Sequence, residues 1–557
     1  MFRLTIAILT LAVTLACSRQ PETASATSTS KAPLYDNLGN LTHPITTSSP
    51  EAQRYFDQGL RLSYAFNHAE AIRAFRQAAA IDTDCAMCYW GVAYALGPNI
   101  NAPISPEAAK EAFAAIEEAR ARAAKASAKE QAFIAALARR YTSDPAAERP
   151  PLDAAYADAM RELAKQFPDD LDAATLFAQS LMDTSPWNYW NQDGSPRPLT
   201  GEVVSTLESV LKRQADHVGA IHLYIHAVEA SPDPGRATPY ADRLAALVPG
   251  AGHLVHMPAH VYLRTGRYND ASVANVNAQK ADSAYLETDR VPGNMMYEVG
   301  YVTHNLHFFV TSASLEGRSA DALRVAQELQ SKLHADMARD PAMGGMIQHM
   351  QLTPLFAKIR FARWDEVLAE PAPPEDLPYM RVMWHAARTM AYAASGRLDE
   401  AEKERAMVAS LKDDPSLKAL YVSGVNLASN VASIAFEVAS GELRAAQKRA
   451  GEAVTHFAAA VTLEDALTYM EPPDWPIPVR QLQGAALLAL GRASEAEAAF
   501  RGDLRKFPNN GWSLSGLRES RIRQGRGRDG EVAVLATQFG QAWSRADVKL
   551  EAGRVAR

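Results

Sequence analysis

Beyond residue 50, apolar positions recur three and four apart with few interruptions, and the stretches between breaks are rich in alanine. That is the period of an amphipathic helix, and no run of alternating β-branched residues argues for a strand. Short breaks punctuate the pattern at Gly266-Arg-Tyr, Gly317-Arg-Ser, Gly396-Arg-Leu, Gly441-Glu-Leu and Gly491-Arg-Ala. Each follows one helical stretch and precedes a second, alanine-rich one. Glycine in such a place suits a left-handed helix cap between two packed helices. The pattern predicts an all-α chain of helical hairpins, and 557 residues exceed what one compact core holds, so an elongated array is expected.

Composition changes this picture little. Hydrophobic residues make up 47% and charged residues 22%, ordinary for a folded chain. The net charge of −7 comes from interspersed acids and bases, without the concentrated basic face that nucleic-acid binding requires. The first 17 residues differ from the rest. Arg3 precedes an apolar run, Leu4 to Ala16, that is too short to span a membrane and suits a signal peptide. Its end, Leu15-Ala16-Cys17, resembles the lipobox of bacterial lipoproteins, with Thr14 where that motif carries an aliphatic residue. The resemblance implies export, cleavage before Cys17, lipidation of Cys17 and membrane contact through that lipid alone; the other reading is an ordinary signal with an incidental cysteine. Residues 18–49 begin small and polar and read as a flexible tether and lead-in. Three helical portions are expected after it, 50–200, 201–340 and 341–545, with 546–557 as a tail.

The hairpins resemble the tetratricopeptide repeat, a helix-turn-helix unit of about 34 residues with small residues where the helices touch. FNHAEAIRAFRQAAAID places Ala71 and Phe75 at the family's A-x3-F spacing, and LGRASEAEAAFRGDLRKFP places Gly491, Ala496, Phe500 and Pro508 likewise. The breaks are unevenly spaced, so the repeats are divergent and an α-solenoid of about eight to ten is expected. Longer phrases, CAMCYWGVAYALGPNINAP, HLYIHAVEAS, GHLVHMPAHVYLRTGRY and HNLHFF, are similar to one group of bacterial repeat proteins, a likeness that informs fold more than function.

Chemistry concentrates in the middle of the chain. Eight of the 14 histidines fall between 217 and 307. His222 and His226, then His253, His256 and His260, then His304 and His307 each precede a predicted turn, which puts them on the first helices of successive repeats. In tetratricopeptide arrays those helices line the concave groove. At 3.6 residues per turn the members of each group share a face, whereas His217 lies well around the helix from His222 and is set aside. Pro258 removes a backbone donor and threatens to split the second group. Neutral imidazoles at such spacing bind transition metals, with copper, zinc or iron as candidates. Seven histidines exceed what one tetrahedral ion needs, so they suit two ions or one ion with an outer layer. Glu229, Asp282 and Glu298 lie nearby in sequence, but spacing selects none of them. No HExxH, phosphate loop, GxGxxG or GxSxG is present.

Cys85-Ala-Met-Cys88 suits a disulfide or a pair of buried thiols better than catalysis, since no thioredoxin-like pattern surrounds it. Trp187 and Trp190 form an aromatic loop that is a candidate ligand contact, as are Tyr224 and Tyr262 between the histidines. The sequence thus supports an exported repeat lipoprotein that binds an envelope protein or peptide and carries a metal-competent histidine groove. Two alternatives stay open: a metal-dependent oxidoreductase or hydrolase acting on a small molecule in that groove, and a metal-free envelope scaffold.

Overall fold

The computed structural model describes residues 31–556, so the leader and Cys17 lie outside the described residues. Helices dominate, and successive helices pack as hairpins. Pro50–Tyr64 lies on His68–Ile81, Pro378–Ala394 on Leu398–Leu411, Ala428–Ala446 on Ala450–Asp465, and Val479–Ala489 on Ala493–Lys506. The chain is an all-α solenoid of tetratricopeptide-like helical hairpins.

The interlocking within these hairpins explains the small residues. Phe75 projects from the second helix of its hairpin between Gly59 on the first helix and Gly91 on the next. A Cβ would come within 2.6 Å of its ring at Gly59 and 2.3 Å at Gly91. Near the other end Phe500 sits between Gly484 and Gly516 in the same way, at 2.6 Å and 2.2 Å, and the two glycine pairs are equally spaced along the chain. One aromatic ring therefore pins three consecutive helices, and the backbones approach because no side chain holds them apart.

Four of the five expected turn glycines, Gly266, Gly317, Gly396 and Gly491, adopt the left-handed conformation with φ of 73° to 75°. Gly441 does not. It lies inside the Ala428–Ala446 helix, where a Cβ would stand 2.8 Å from Phe457, and Lys448 (φ 62°) makes the turn instead. The glycine there serves close approach, a role the sequence pattern cannot tell from capping.

The lead-in is not free as far as residue 49. From Ala32 onward it packs against the first hairpin, with Tyr35 N–H donating to Gln58 Oε1 (2.8 Å) and Gly250 N–H to Asn37 O (2.9 Å). The tail also docks. Leu550–Glu551 and Arg554–Val555 form a small hairpin, Arg554 pairs with Glu442, and the Asp547 carboxylate accepts from the N–H groups of Ser319 and Ala320 at 2.7 and 2.8 Å. Residues from Ala32 onward form one compact unit.

Contacts between distant repeats bear on the site. Tyr268 OH donates to Pro508 O (2.6 Å) and Trp512 Nε1 to Ser314 O (2.9 Å). Arg73 donates to Asp289 O at 2.7 Å, and Asn101 Nδ2 to Tyr301 OH at 3.2 Å. The first hairpin and the C-terminal repeats thus both press on the histidine-bearing middle. Gly91→Val tests the interlock: it forces Phe75 from its slot and is expected to cost roughly 1–3 kcal/mol, seen as a lower thermal midpoint. An unchanged midpoint would refute the pinning role.

Candidate metal centre

Three stretches of helix bring the imidazoles together: Val218–Val228, the paired segments Gly252–His256 and Pro258–Thr265, and Val302–Leu315. The Pro258 break exists, but Met257 keeps helical angles (φ −49°, ψ −36°) and the proline occupies the first position of a new turn, where its missing N–H does little harm. His253, His256 and His260 therefore remain on one stripe.

The rings form a continuous chain. Centroids lie 4.9 Å apart for His222 and His226, His222 and His253, His256 and His260, and His256 and His304; His226 and His260, at 5.4 Å, link the two ends. Ligand atoms within 4.8 Å of one another fall into overlapping triads, His222/His226/His253 and His256/His260/His304, with His226, Glu229 and His260 between them. His307 stands apart. Its ring lies 6.0 Å from His349 and faces the following repeat. His304 and His307 differ by about 60° around the helix, enough to change neighbours in a packed array.

The expected open groove is filled. His222 and His256 are fully buried, and His226, His253 and His260 nearly so. Phe66, held at φ 56° in the first turn of the array, places its ring 4.4 Å from His222 and 5.5 Å from His253. Phe308 covers His256, His260 and His304, and Trp187 stands edge-on to His226 at 5.0 Å. Glu471 arrives from the C-terminal repeats, with Oε2 3.3 Å from His260 Nδ1.

Hydrogen bonds fix which ring nitrogen faces inward. His222 Nδ1 donates to Tyr64 O at 2.6 Å. His256 Nδ1 donates to Asn275 Oδ1 at 2.7 Å, and the Asn275 amide is oriented by its own donation to Ala271 O. Glu229 accepts from two rings, Oε1 from His226 Nδ1 at 3.0 Å and Oε2 from His260 Nδ1. Each of these four rings thus carries a proton on Nδ1 and turns Nε2 into the cluster, as a lone pair in neutral His222, His226 and His256. The Nε2 atoms of His256 and His260 come within 2.9 Å of each other, and those of His222 and His253 within 3.1 Å. His226 Nε2 has no protein partner at all. Opposed lone pairs at such distances need a proton or a cation between them.

Burial, reinforced by neighbouring rings, pushes the pKa of His222, His253, His256 and His304 well below the usual histidine value, and burial lowers His226. These rings are neutral, the form that binds metal. At His260 burial also works downward, but the Glu229 carboxylate outweighs it and raises the pKa. Burial would raise Glu229, yet His260 and His226 hold it ionised. Among the carboxylates near in sequence, Glu229 alone joins the cluster. Asp282 accepts from Tyr297 and Asn305, and Glu298 pairs with Arg290.

The remaining candidates divide. Trp187 borders the cluster; Trp190 packs with Nε1 donating to Ala227 O (2.7 Å). Tyr224 and Tyr262 turn away, their hydroxyls bound to Glu208 and Asp242 on the opposite faces of their helices. Cys85 and Cys88 form a disulfide, both buried. His217, set aside by its angle, belongs to another network: its Nε2 is 3.2 Å from Asp172 Oδ1, which also accepts from Tyr64 OH (2.7 Å), while His43 Nδ1 binds Asp172 Oδ2 (2.8 Å). Asp170 nearby caps a helix and pairs with Lys129, while the Nε2 of His43 is buried without a hydrogen-bond partner.

No family model and no curated protein matches the chain. Among solved structures it is similar to the human IFIT1 dimer with m7Gppp-AAAA (13% identity, 82% of this chain and 90% of that chain, TM-score 0.34). It is also similar to yeast Tom70 (11%, 88% and 93%, TM-score 0.27) and to the P58(IPK) TPR domain (14%, 86% and 99%, TM-score 0.21). Superpositions this loose say nothing of the site.

His307 supplies a pH test outside the cluster. Burial lowers its pKa from 6.5 to about 4. Between those values the unfolded chain binds a proton that the folded one refuses, so stability falls as pH drops through the window, by roughly 1.4 kcal/mol per pH unit at most. His307→Gln should lose less stability than the parent between pH 6.5 and pH 4.5 in urea denaturation with chelator present. Equal losses would contradict the burial effect.

Proposed function

We propose that this chain is a helical-repeat protein built around a buried transition-metal centre held by His222, His226, His253, His256, His260 and His304. The carrying observation is the set of Nε2 atoms turned inward, a direction that a hydrogen bond donated by Nδ1 on the far side of the ring fixes in His222, His226, His256 and His260. That is the arrangement of metal-bound histidine, in which an outer acceptor sets the tautomer and aims the ligand nitrogen. Two overlapping triads suit two ions, with Glu229 bracing one ring of each. All-imidazole ligation favours copper, zinc or iron over the hard cations.

The disulfide at Cys85 and Cys88 supports the further reading that the chain works outside the reducing cytoplasm, as an exported protein anchored through a lipid on Cys17. Burial of the imidazoles disfavours the reading in which an envelope peptide lies along them, since Phe66, Trp187 and Glu471 occupy that face. A protein partner would meet the outer surface of the repeats. A large cavity behind Glu471 favours small-molecule chemistry at the metal as a second reading.

Elemental analysis of protein purified without an affinity tag is the direct test. Copper, zinc or iron in stoichiometric amount is expected, with most of it lost in His256→Ala and His226→Ala and retained in His307→Ala. Loading a chelated sample should raise the thermal midpoint, because a ligand at a thousandfold its Kd adds about 4 kcal/mol. Protein that stays metal-free after incubation with each ion, and melts at an unchanged temperature, would overturn the proposal.

A further inference from the structure

On the outer side of the histidine cluster lies a cavity of about 930 Å³, between the loop around Trp187 and the segment from Glu464 to Trp475. Its volume suits a small organic molecule. Three features give it a chemical preference.

The first is Arg264. It lies one helical turn beyond His260 on the same helix, so its side chain leaves from nearly the same face. It forms no ion pair among the described residues. Its guanidinium makes a long contact with Ser231 O (3.4 Å) and lies 5.3 Å from the ring of Tyr469, while its Nε is sealed from solvent without a protein partner. A buried guanidinium N–H left without an acceptor is costly, and a guanidinium fork matches a planar oxyanion.

The second is the balance of charge. Of the carboxylates on the wall, Asp465 is paired by Arg480 and Lys506 and Glu471 meets His260, while Asp474, Asp193 and Glu464 are held by the neutral donors of Asn426 and Ser423, of Ser195 and of Val479 N–H. Arg197 and Arg505 line the same cavity, both exposed and, like Arg264, outside any ion pair among the described residues. Three guanidinium groups on this wall thus stand without an ion pair among the described residues.

The third is aromatic surface. Trp187, Trp475 and Phe507 line the cavity. Trp187 is held at φ 61°, a conformation unfavourable for a residue with a Cβ, and it presents one side to the cavity and the other to His226.

We infer that this cavity binds a small aromatic carboxylate, with the carboxylate on Arg264 and the ring beside Glu471 and against Trp187, whose other side meets His226. The grip of Arg264 is independent of the metal; only the expected effect of an ion on the far side of Trp187 rests on the reading above.

The test uses the full-length protein and benzoate as probe. Calorimetric titration of chelated protein should give saturable binding of benzoate. Benzamide, which keeps the shape but not the charge, should bind at least about tenfold more weakly, and Arg264→Met should weaken benzoate by a similar factor. Arg264→Lys, which keeps the charge without the fork, should fall between. Line broadening of benzoate ring protons by copper-loaded wild-type protein, beyond that seen with chelated protein, reads the proximity without any variant. Failure of benzoate to saturate wild-type protein, equal binding by benzamide, or tight binding of phenyl phosphate in place of benzoate would overturn the inference. Metal uptake without benzoate binding would end this inference alone, whereas benzoate binding by a protein that takes no metal would end the metal reading and leave Arg264 in place.

Discussion

The N–H group on the far side of four of the imidazoles, His222, His226, His256 and His260, governs the centre. A buried ring must place that proton on an acceptor, and once it does, the other nitrogen becomes an acceptor with a fixed direction. Tyr64 O, Asn275 Oδ1 and the two oxygens of Glu229 are those acceptors. They come from three separate places in the chain, so the tautomers depend on the packing of the first hairpin against the helices that follow. Replacing the donors by apolar side chains would leave the cluster dry and inert; keeping them aims ring nitrogens at common points.

The packing that allows this is the Gly-Phe-Gly interlock. It keeps neighbouring helices close and in register, so that residues on equivalent faces of adjacent hairpins meet. Phe66 then fills the space that a more open array would leave to solvent. Burial lowers the proton affinity of most of the rings and keeps them neutral, so the same side chain that closes the site tunes its chemistry.

Much of this was legible in the sequence, because helix period is a local property. The alanine-rich hairpins, four of the turns and the shared face of His222 and His226 follow from spacing alone. Residues placed by distant packing were not legible. Glu471 reaches His260 from more than two hundred residues downstream, and Phe66 lies in a turn whose aromatic residue looks incidental. His307 shows the limit of angle arguments, since a ring turned by 60° on a packed helix belongs to a different neighbour. Glu229 stood three residues from His226 in plain view; its partnership with His260 appears only when the next repeat is in place. Tyr224 and Tyr262 were drawn in by their neighbours in sequence, although alternate positions on a helix point elsewhere.

The arrival of Glu471 from far along the chain also has a temporal side. A ribosome delivers the histidine helices well before the repeat that supplies this carboxylate and the segments that lock Tyr268 and Trp512. Helical hairpins of this kind form from short-range contacts as they emerge, whereas the closing contacts must wait for the last third of the polypeptide. The growing polypeptide therefore holds its imidazoles already under Phe66, Trp187 and Phe308 while the side that Glu471 closes still stands open.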